Sequence, residues 1–113
     1  MHEFGVAEGL LKAVLHAAET HGATRVVTVR LRIGHLAGIV PESLTFAFEA
    51  LAQDTLAHGA TLHIQSIPVT CHCPHCRLDF PCSPGFYQCP TCNQSSSDLR
   101  TGRELDIIDM EIT

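Results

Sequence analysis

Cys73-Pro74-His75-Cys76 and Cys89-Pro90-Thr91-Cys92 decide how this chain is read. A Cys-x-x-Cys turn holds two thiolates within ~4 Å of each other, and two such turns close a tetrahedron around one ion. Twelve residues lie between the pairs, enough for a short hairpin. Two unrelated dithiol turns, or a pair of disulfides, are the competing readings. A site with sulfur at all four positions leaves none open for water or substrate, so its metal is structural. The chemistry of the protein is then to be sought elsewhere.

Outward from this segment the pattern becomes regular. On its N-terminal side, residues 60–69 alternate as a strand (Leu62, Ile64, then Ile67, Val69), with a change of phase near Ser66 that predicts a bulge. Before it, Leu44, Ala47, Phe48 and Leu51 make the apolar stripe of a helix that Pro41 opens and His58-Gly59 ends, with Glu42 at its positive end. Val27, Val29, Leu31 and Ile33 alternate with Thr28, Arg30 and Arg32, a strand with one buried face. Ala7, Leu10, Leu11, Val14, Leu15 and Ala18 recur at helical spacing from residue 5 to 20, and Gly22 suits the left-handed position after a helix. On the C-terminal side, residues 104–112 form a third strand, with Ile108, Met110 and Ile112 on one face and Asp109 and Glu111 on the other.

The predicted fold is therefore α+β: two helices on one face of a small three-stranded sheet, with a zinc-ribbon-like lobe inserted between two of its strands, which are expected to pair antiparallel. Residues 1–70 and 101–113 make the body and residues 71–100 the lobe. The lobe is poor in apolar residues, so Phe80, Phe86 and Tyr87 are expected around the metal, and without metal the lobe should unfold.

Composition narrows the function. Among 113 residues, Lys+Arg number 7 against Asp+Glu 12, a net charge of −5, the wrong sign for a surface that neutralises nucleic-acid phosphates. Between Cys71 and Arg103 the basic residues are Arg77, Arg100 and Arg103, too few for a nucleic-acid-binding zinc ribbon. No apolar run reaches the ~18 residues of a membrane span, and the N-terminus lacks a signal-peptide layout. A cytoplasmic protein with reduced thiols is the expectation. No phosphate loop, Ser-His-Asp order or histidine pair at helical spacing points to an enzyme. A rubredoxin-like iron site shares the tetrathiolate pattern and would colour the protein red. Cys71 competes with Cys73 for the first ligand position, but the x-x spacing favours Cys73. Cys82 reads as a packing residue. His72 and His75 flank the ligands as outer or exposed groups.

Met1-His2-Glu3 is the second candidate site. A large residue at position 2 disfavours removal of the initiator methionine. The Met1 amine, the His2 backbone nitrogen and the His2 imidazole then offer fused chelate rings, with the Glu3 backbone nitrogen or carboxylate as a fourth donor. A planar, nitrogen-rich set suits Ni(II) or Cu(II) rather than tetrahedral Zn(II).

That terminus, a following helix, and Cys73-x-x-Cys76 with Cys89-x-x-Cys92 before a last strand together resemble the HypA/HybF hydrogenase maturation proteins. The resemblance runs the length of the chain and takes in Arg32-Ile33-Gly34, Pro41-Glu42-Ser43-Leu44 and Phe46-Ala47-Phe48-Glu49. It implies a nickel metallochaperone, not an enzyme, that delivers Ni(II) for [NiFe]-hydrogenase assembly. Its implied partners are a GTPase of the HypB type, the hydrogenase large subunit and, as an open alternative, urease maturation proteins. Nickel is implied at Met1, His2 and Glu3, and structural Zn(II) at Cys73, Cys76, Cys89 and Cys92. Some members are thought to add an acidic side chain near the start of the second helix. Here that place holds Pro41, with Glu42 beside it as the candidate substitute. The alternative to nickel delivery is a rubredoxin-like or zinc-ribbon interaction module.

Overall fold

The first apolar stripe forms α1 (His2–Thr20), which buries Ala7, Val14 and Ala18. The helix stops where glycine permits: Gly22 takes φ 65°, and the N–H groups of Gly22 and Ala23 bond back to the Glu19 and Ala18 carbonyls at 3.0 and 2.9 Å. It begins at His2, three residues earlier than the apolar period predicts, so His2 lies within the helix rather than ahead of it. The computed structural model describes residues 2–83 and 85–113.

After α1 come β1 (Val26–Gly34), α2 (Pro41–Leu51), β2 (Thr61–Ile67), β3 (Thr70–Cys73), β4 (Leu78–Pro81), β5 (Leu99–Thr101) and β6 (Leu105–Ile112). These elements divide between two units. The first comprises Met1–Leu31, Ile39–Gln65 and Asp106–Thr113, and the second Arg32–Gly38 and Ser66–Leu105. Among the described residues two three-stranded sheets result, in the orders β2-β1-β6 and β4-β3-β5.

In the first unit α1 packs on α2, and the buried side chains come from α1, from Leu44, Ala47 and Phe48 of α2, from Ala52, Ala57 and Ala60 after it, and from Val26, Val29 and Leu31 of β1. The helical period of residues 44–51 is real, but α2 stops at Leu51 rather than near residue 58. Asp54 adopts φ 64°, and the Thr55 hydroxyl donates to the Ala52 carbonyl at 2.6 Å and accepts from the Ala57 N–H at 3.1 Å. Such local side-chain bonds replace helix with turns. At its start α2 has Pro41 in the first turn and no capping side chain of its own; the cap position is Val40. A carboxylate from α1 takes that role, since Glu3 Oε2 accepts the Val40 N–H at 3.3 Å. The bond is the one a capping-box glutamate makes within its own helix, here made between helices.

The two strands that flank the inserted segment do not pair with each other, contrary to the expectation from sequence. β1 lies between them. Thr28 bonds Glu111, and the Arg30 guanidinium forks onto the Asp109 carboxylate, Nε to Oδ1 at 2.6 Å. Partners that step in opposite directions make β1 and β6 antiparallel. The pairing raises the Arg30 pKa through the Asp109 hydrogen bond and lowers that of Asp109 through Arg30. In β6, Met110 and Ile112 are half-buried as the alternation predicts, but Ile108 is 42% exposed and Ile107 takes the inner position. The predicted bulge near Ser66 is a break, with β2 ending at Ile67 and β3 starting at Thr70.

The second unit has regular strands where the sequence shows little period. β3 pairs β4 antiparallel (Cys71 opposite Phe80, Cys73 opposite Leu78) and β5 on its other side. Arg32–Gly38 is fastened there by backbone bonds: Gly34 N–H to Glu104 O at 2.8 Å, His35 N–H to Ile67 O at 2.9 Å, and Leu36 N–H to Gly102 O at 2.6 Å. Gly34 and Gly102 make this approach possible, because a Cβ on Gly34 would lie 2.1 Å from the Gly102 carbonyl carbon.

Two substitutions test these packings. Phe48→Ala should cost about 3–5 kcal/mol in urea unfolding of the first unit, the usual penalty for emptying a buried aromatic site. Gly34→Ala must displace backbone rather than a flexible side chain, so a loss toward the upper end of the ~1–3 kcal/mol typical of overpacking is expected. A Gly34→Ala protein that melts like wild type would refute the close approach.

Candidate metal centre

Each Cys-x-x-Cys turn is built the same way. The residue after the second cysteine is left-handed (Arg77 at φ 54°, Asn93 at φ 63°), and its N–H bonds the carbonyl of the first cysteine, Cys73 at 2.7 Å and Cys89 at 2.8 Å. Cys73 ends β3, which buries it, and Cys89 is 0% exposed. Cys76 N–H also points at Cys73 Sγ, 3.4 Å away. Each turn thereby aims two sulfurs to one side.

The turns face each other. Cys73 Sγ and Cys92 Sγ are 3.6 Å apart, Cys76 Sγ and Cys89 Sγ 3.9 Å, and all four sulfurs fall within 4.8 Å of one another. A tetrahedral ion with metal–sulfur bonds of ~2.3 Å needs edges of about 3.8 Å. The donor set therefore fits a thiophilic ion of zinc's size, and no fifth donor is needed. Around the sulfurs pack Phe80, Leu78, Tyr87 and Leu99. Phe86, expected in that packing, is instead 74% exposed.

Without a cation the four sulfurs contest their protons. Burial, then hydrogen bonds shared with Cys92, Cys89 and Cys73, push the Cys76 thiol up to about 12. The Cys92 N–H, opposed by burial and assisted by the Thr91 N–H, draws Cys89 down to about 7. At Cys92 the Gln94 N–H favours the thiolate, but burial and Cys73 outweigh it and the pKa is raised.

Cys71 is not one of the four. It is buried beside Cys82, with the sulfurs 3.4 Å apart, and burial followed by the Cys82 hydrogen bond pushes its thiol up to about 11. His72 Nδ1 meets Asp79 Oδ1 at 2.7 Å across the β3–β4 pair, and His75 is exposed. Of the candidate nickel residues, Met1 lies outside the described residues. His2 is exposed in the first turn of α1, and Glu3 is half-buried against Val40. That contact brings Glu3 to the start of α2, next along the chain to Pro41 and exposed Glu42. The capping role of Glu3 was not read from sequence. Its signal was the missing capping residue before Pro41.

Comparison with known proteins identifies the lineage. Residues 1–112 match the family described as "Hydrogenase/urease nickel incorporation, metallochaperone, hypA". The chain belongs to the HypA family. Hydrogenase maturation factor HypA of a Picosynechococcus species is 40% identical over 112 residues, covering 99% of each chain, and that of Albidiferax ferrireducens is 37% identical over 112 residues, also covering 99% of each. The fold of HypA recurs in the solution structure of the Ni metallochaperone HypA from Helicobacter pylori, with TM-score 0.66 at 21% identity over 97% of this chain and 96% of that one. A second HypA solution structure gives TM-score 0.71 at 24% identity over 100% of this chain and 97% of that one. HypA is thus a nickel-incorporation family, and this member carries a four-cysteine centre. No described helix is long and apolar enough to cross a membrane.

Cys76→Ala should abolish stoichiometric metal at the tetrad and disorder the second unit, while circular dichroism still reports α1 and α2. Metal binding requires thiolates, and the metal-free centre holds protons on the raised Cys76 and Cys92. Affinity should therefore fall as pH falls, more steeply below about 7, where Cys89 also takes up a proton. Competition titrations with a chelator at several pH values measure this, and a flat profile would contradict it.

Proposed function

We propose that this protein is a nickel metallochaperone that delivers Ni(II) to [NiFe]-hydrogenase assembly. In this reading the cargo binds at Met1, His2 and Glu3 of the body, and a structural Zn(II) is held by Cys73, Cys76, Cys89 and Cys92 of the lobe. The observation that carries the reading is the match to a nickel-incorporation family over residues 1–112. The geometry of the tetrad supports the division of labour. A closed set of four sulfurs, largely removed from solvent, suits a resident ion and not one that must be handed on. Bound there, zinc supplies neutralisation of the thiolates and a cross-link between the two turns.

The start of α1 supports the cargo site. The first N–H groups of a helix have no intrahelical partner, so the His2 and Glu3 amide nitrogens are available as donors without breaking a turn. The positive end of the helix dipole opposes a cation, and the Glu3 carboxylate, with Glu42 beyond it, offsets that field. Transfer then passes to a GTPase of the HypB type and the hydrogenase large subunit in the cytoplasm, with urease maturation proteins as further recipients.

Calorimetric nickel titrations of three proteins (native, one with an added N-terminal residue, and His2→Ala), with zinc assayed in each, test the cargo site. An upstream residue turns the amine into an amide, a poor donor, and His2→Ala removes the imidazole. Each change should weaken nickel binding at least ~10-fold, the lower bound for losing even an outer-shell partner, and leave zinc unchanged. Full affinity in His2→Ala would sink the site. Full affinity in the extended protein alone would remove the amine and keep His2.

A further inference from the structure

Two of the six cysteines are left over by the tetrad, and the fold brings those two together. Cys71 lies on β3 opposite Phe80. Cys82 follows β4, and its N–H bonds the Val69 carbonyl at 3.0 Å, which holds its backbone alongside the start of β3. The two sulfurs are 3.4 Å apart as free thiols. An approach of about 1.4 Å would bring them to the ~2.05 Å of a disulfide. The pair also has an unequal exposure. Cys71 is 1% exposed, whereas Cys82 is only half-buried and meets solvent. Cys71 in turn lines a cleft of about 260 Å³ with Tyr87, Leu99 and Arg103.

We propose that Cys71 and Cys82 form a peroxide-oxidisable dithiol, a modification site separate from the four metal ligands. The Cys82 thiolate attacks one oxygen of hydrogen peroxide; the O–O bond breaks, hydroxide leaves and takes up a proton as water, and Cys82 becomes a sulfenic acid. Cys71 sulfur then displaces the second oxygen, the S–O bond breaks, and the S–S bond forms. The Cys71 proton departs with that oxygen as a second water. Two thiols lose two electrons and the peroxide gains them. A metal ion in the tetrad engages the lone pairs of Cys73, Cys76, Cys89 and Cys92, which leaves this pair as the free nucleophiles. The bridge spans residues 71–82 and so encloses the first Cys-x-x-Cys turn, clipping the base of the hairpin that carries Cys73 and Cys76.

The site rests on the tetrad holding its metal, so zinc is measured before oxidation. Zinc-loaded full-length protein is treated with stoichiometric hydrogen peroxide and mapped by mass spectrometry after alkylation of free thiols. The expected product has lost two hydrogens, carries a Cys71–Cys82 cross-linked peptide, keeps its zinc, and returns to the starting mass with dithiothreitol. Cys71→Ser should stop at a sulfenic acid that dimedone traps on Cys82, and Cys82→Ser should show no adduct on Cys71. Disulfides among Cys73, Cys76, Cys89 and Cys92 with zinc release, while Cys71 and Cys82 remain alkylatable, would overturn the proposal. So would loss of zinc from unoxidised Cys82→Ser, which would make Cys82 a metal-supporting residue. Absence of zinc at the outset would instead count against the reading of the tetrad.

Discussion

Four sulfur atoms held within 4.8 Å are an electrostatic demand as much as a geometric one. Deprotonated and alone they would repel, and protonated they are poor ligands. The split of the thiol pKa values, Cys76 driven up and Cys89 down, expresses the same conflict. A divalent cation held by Cys73, Cys76, Cys89 and Cys92 would resolve it by neutralising charge at the point where the two turns meet. The apolar core of the second unit is thin. Its buried hydrophobic side chains are Ile33, Val69, Cys71, Cys73, Phe80 and Cys89 among the described residues, so cysteines make up half of them. Where a larger domain relies on leucine and valine, this unit relies on the spacing of thiols.

In the first unit the corresponding point is Glu3. Its carboxylate bonds the Val40 N–H and so fixes where α2 starts relative to α1. The same residue belongs to the proposed nickel terminus. An oxygen engaged at Val40 is committed to the helix, which leaves the Glu3 amide nitrogen and the second carboxylate oxygen for a cation. Pro41 accentuates this arrangement. It presets the first helical turn but brings no N–H, so α2 begins with Val40 as its cap and depends on a neighbour for the side-chain acceptor.

Much of this was legible from residue order. The alternation of Val29, Leu31 and Ile33 and the 3.6-residue period of Ala7, Val14 and Ala18 name faces that are in fact buried, because both patterns are local. The two Cys-x-x-Cys turns name the four cysteines whose sulfurs the fold gathers, with Cys71 outside the group, because that spacing belongs to a local turn. The errors arose where distant partners decide. Nothing local shows that β1 would lie between β2 and β6, or that β3 would find β5 some thirty residues on. Phe86 is apolar by composition yet exposed, and an apolar side chain alone does not tell which side of a short bridge it will take. The end of α2 was misplaced because Thr55 and Asp54 offer turns that an apolar period cannot register.

Residues of the second unit come from two separate stretches, Arg32–Gly38 and Ser66–Leu105, so the chain passes from one unit to the other four times. A cassette cut at residues 66–105 would lack the segment that Gly34 presses against Gly102, and would lose the backbone bonds to Ile67, Gly102 and Glu104. The metal-binding part is therefore not a transplantable module. It has been sewn into its host, and recombination that moved it between proteins would have to carry the end of β1 along.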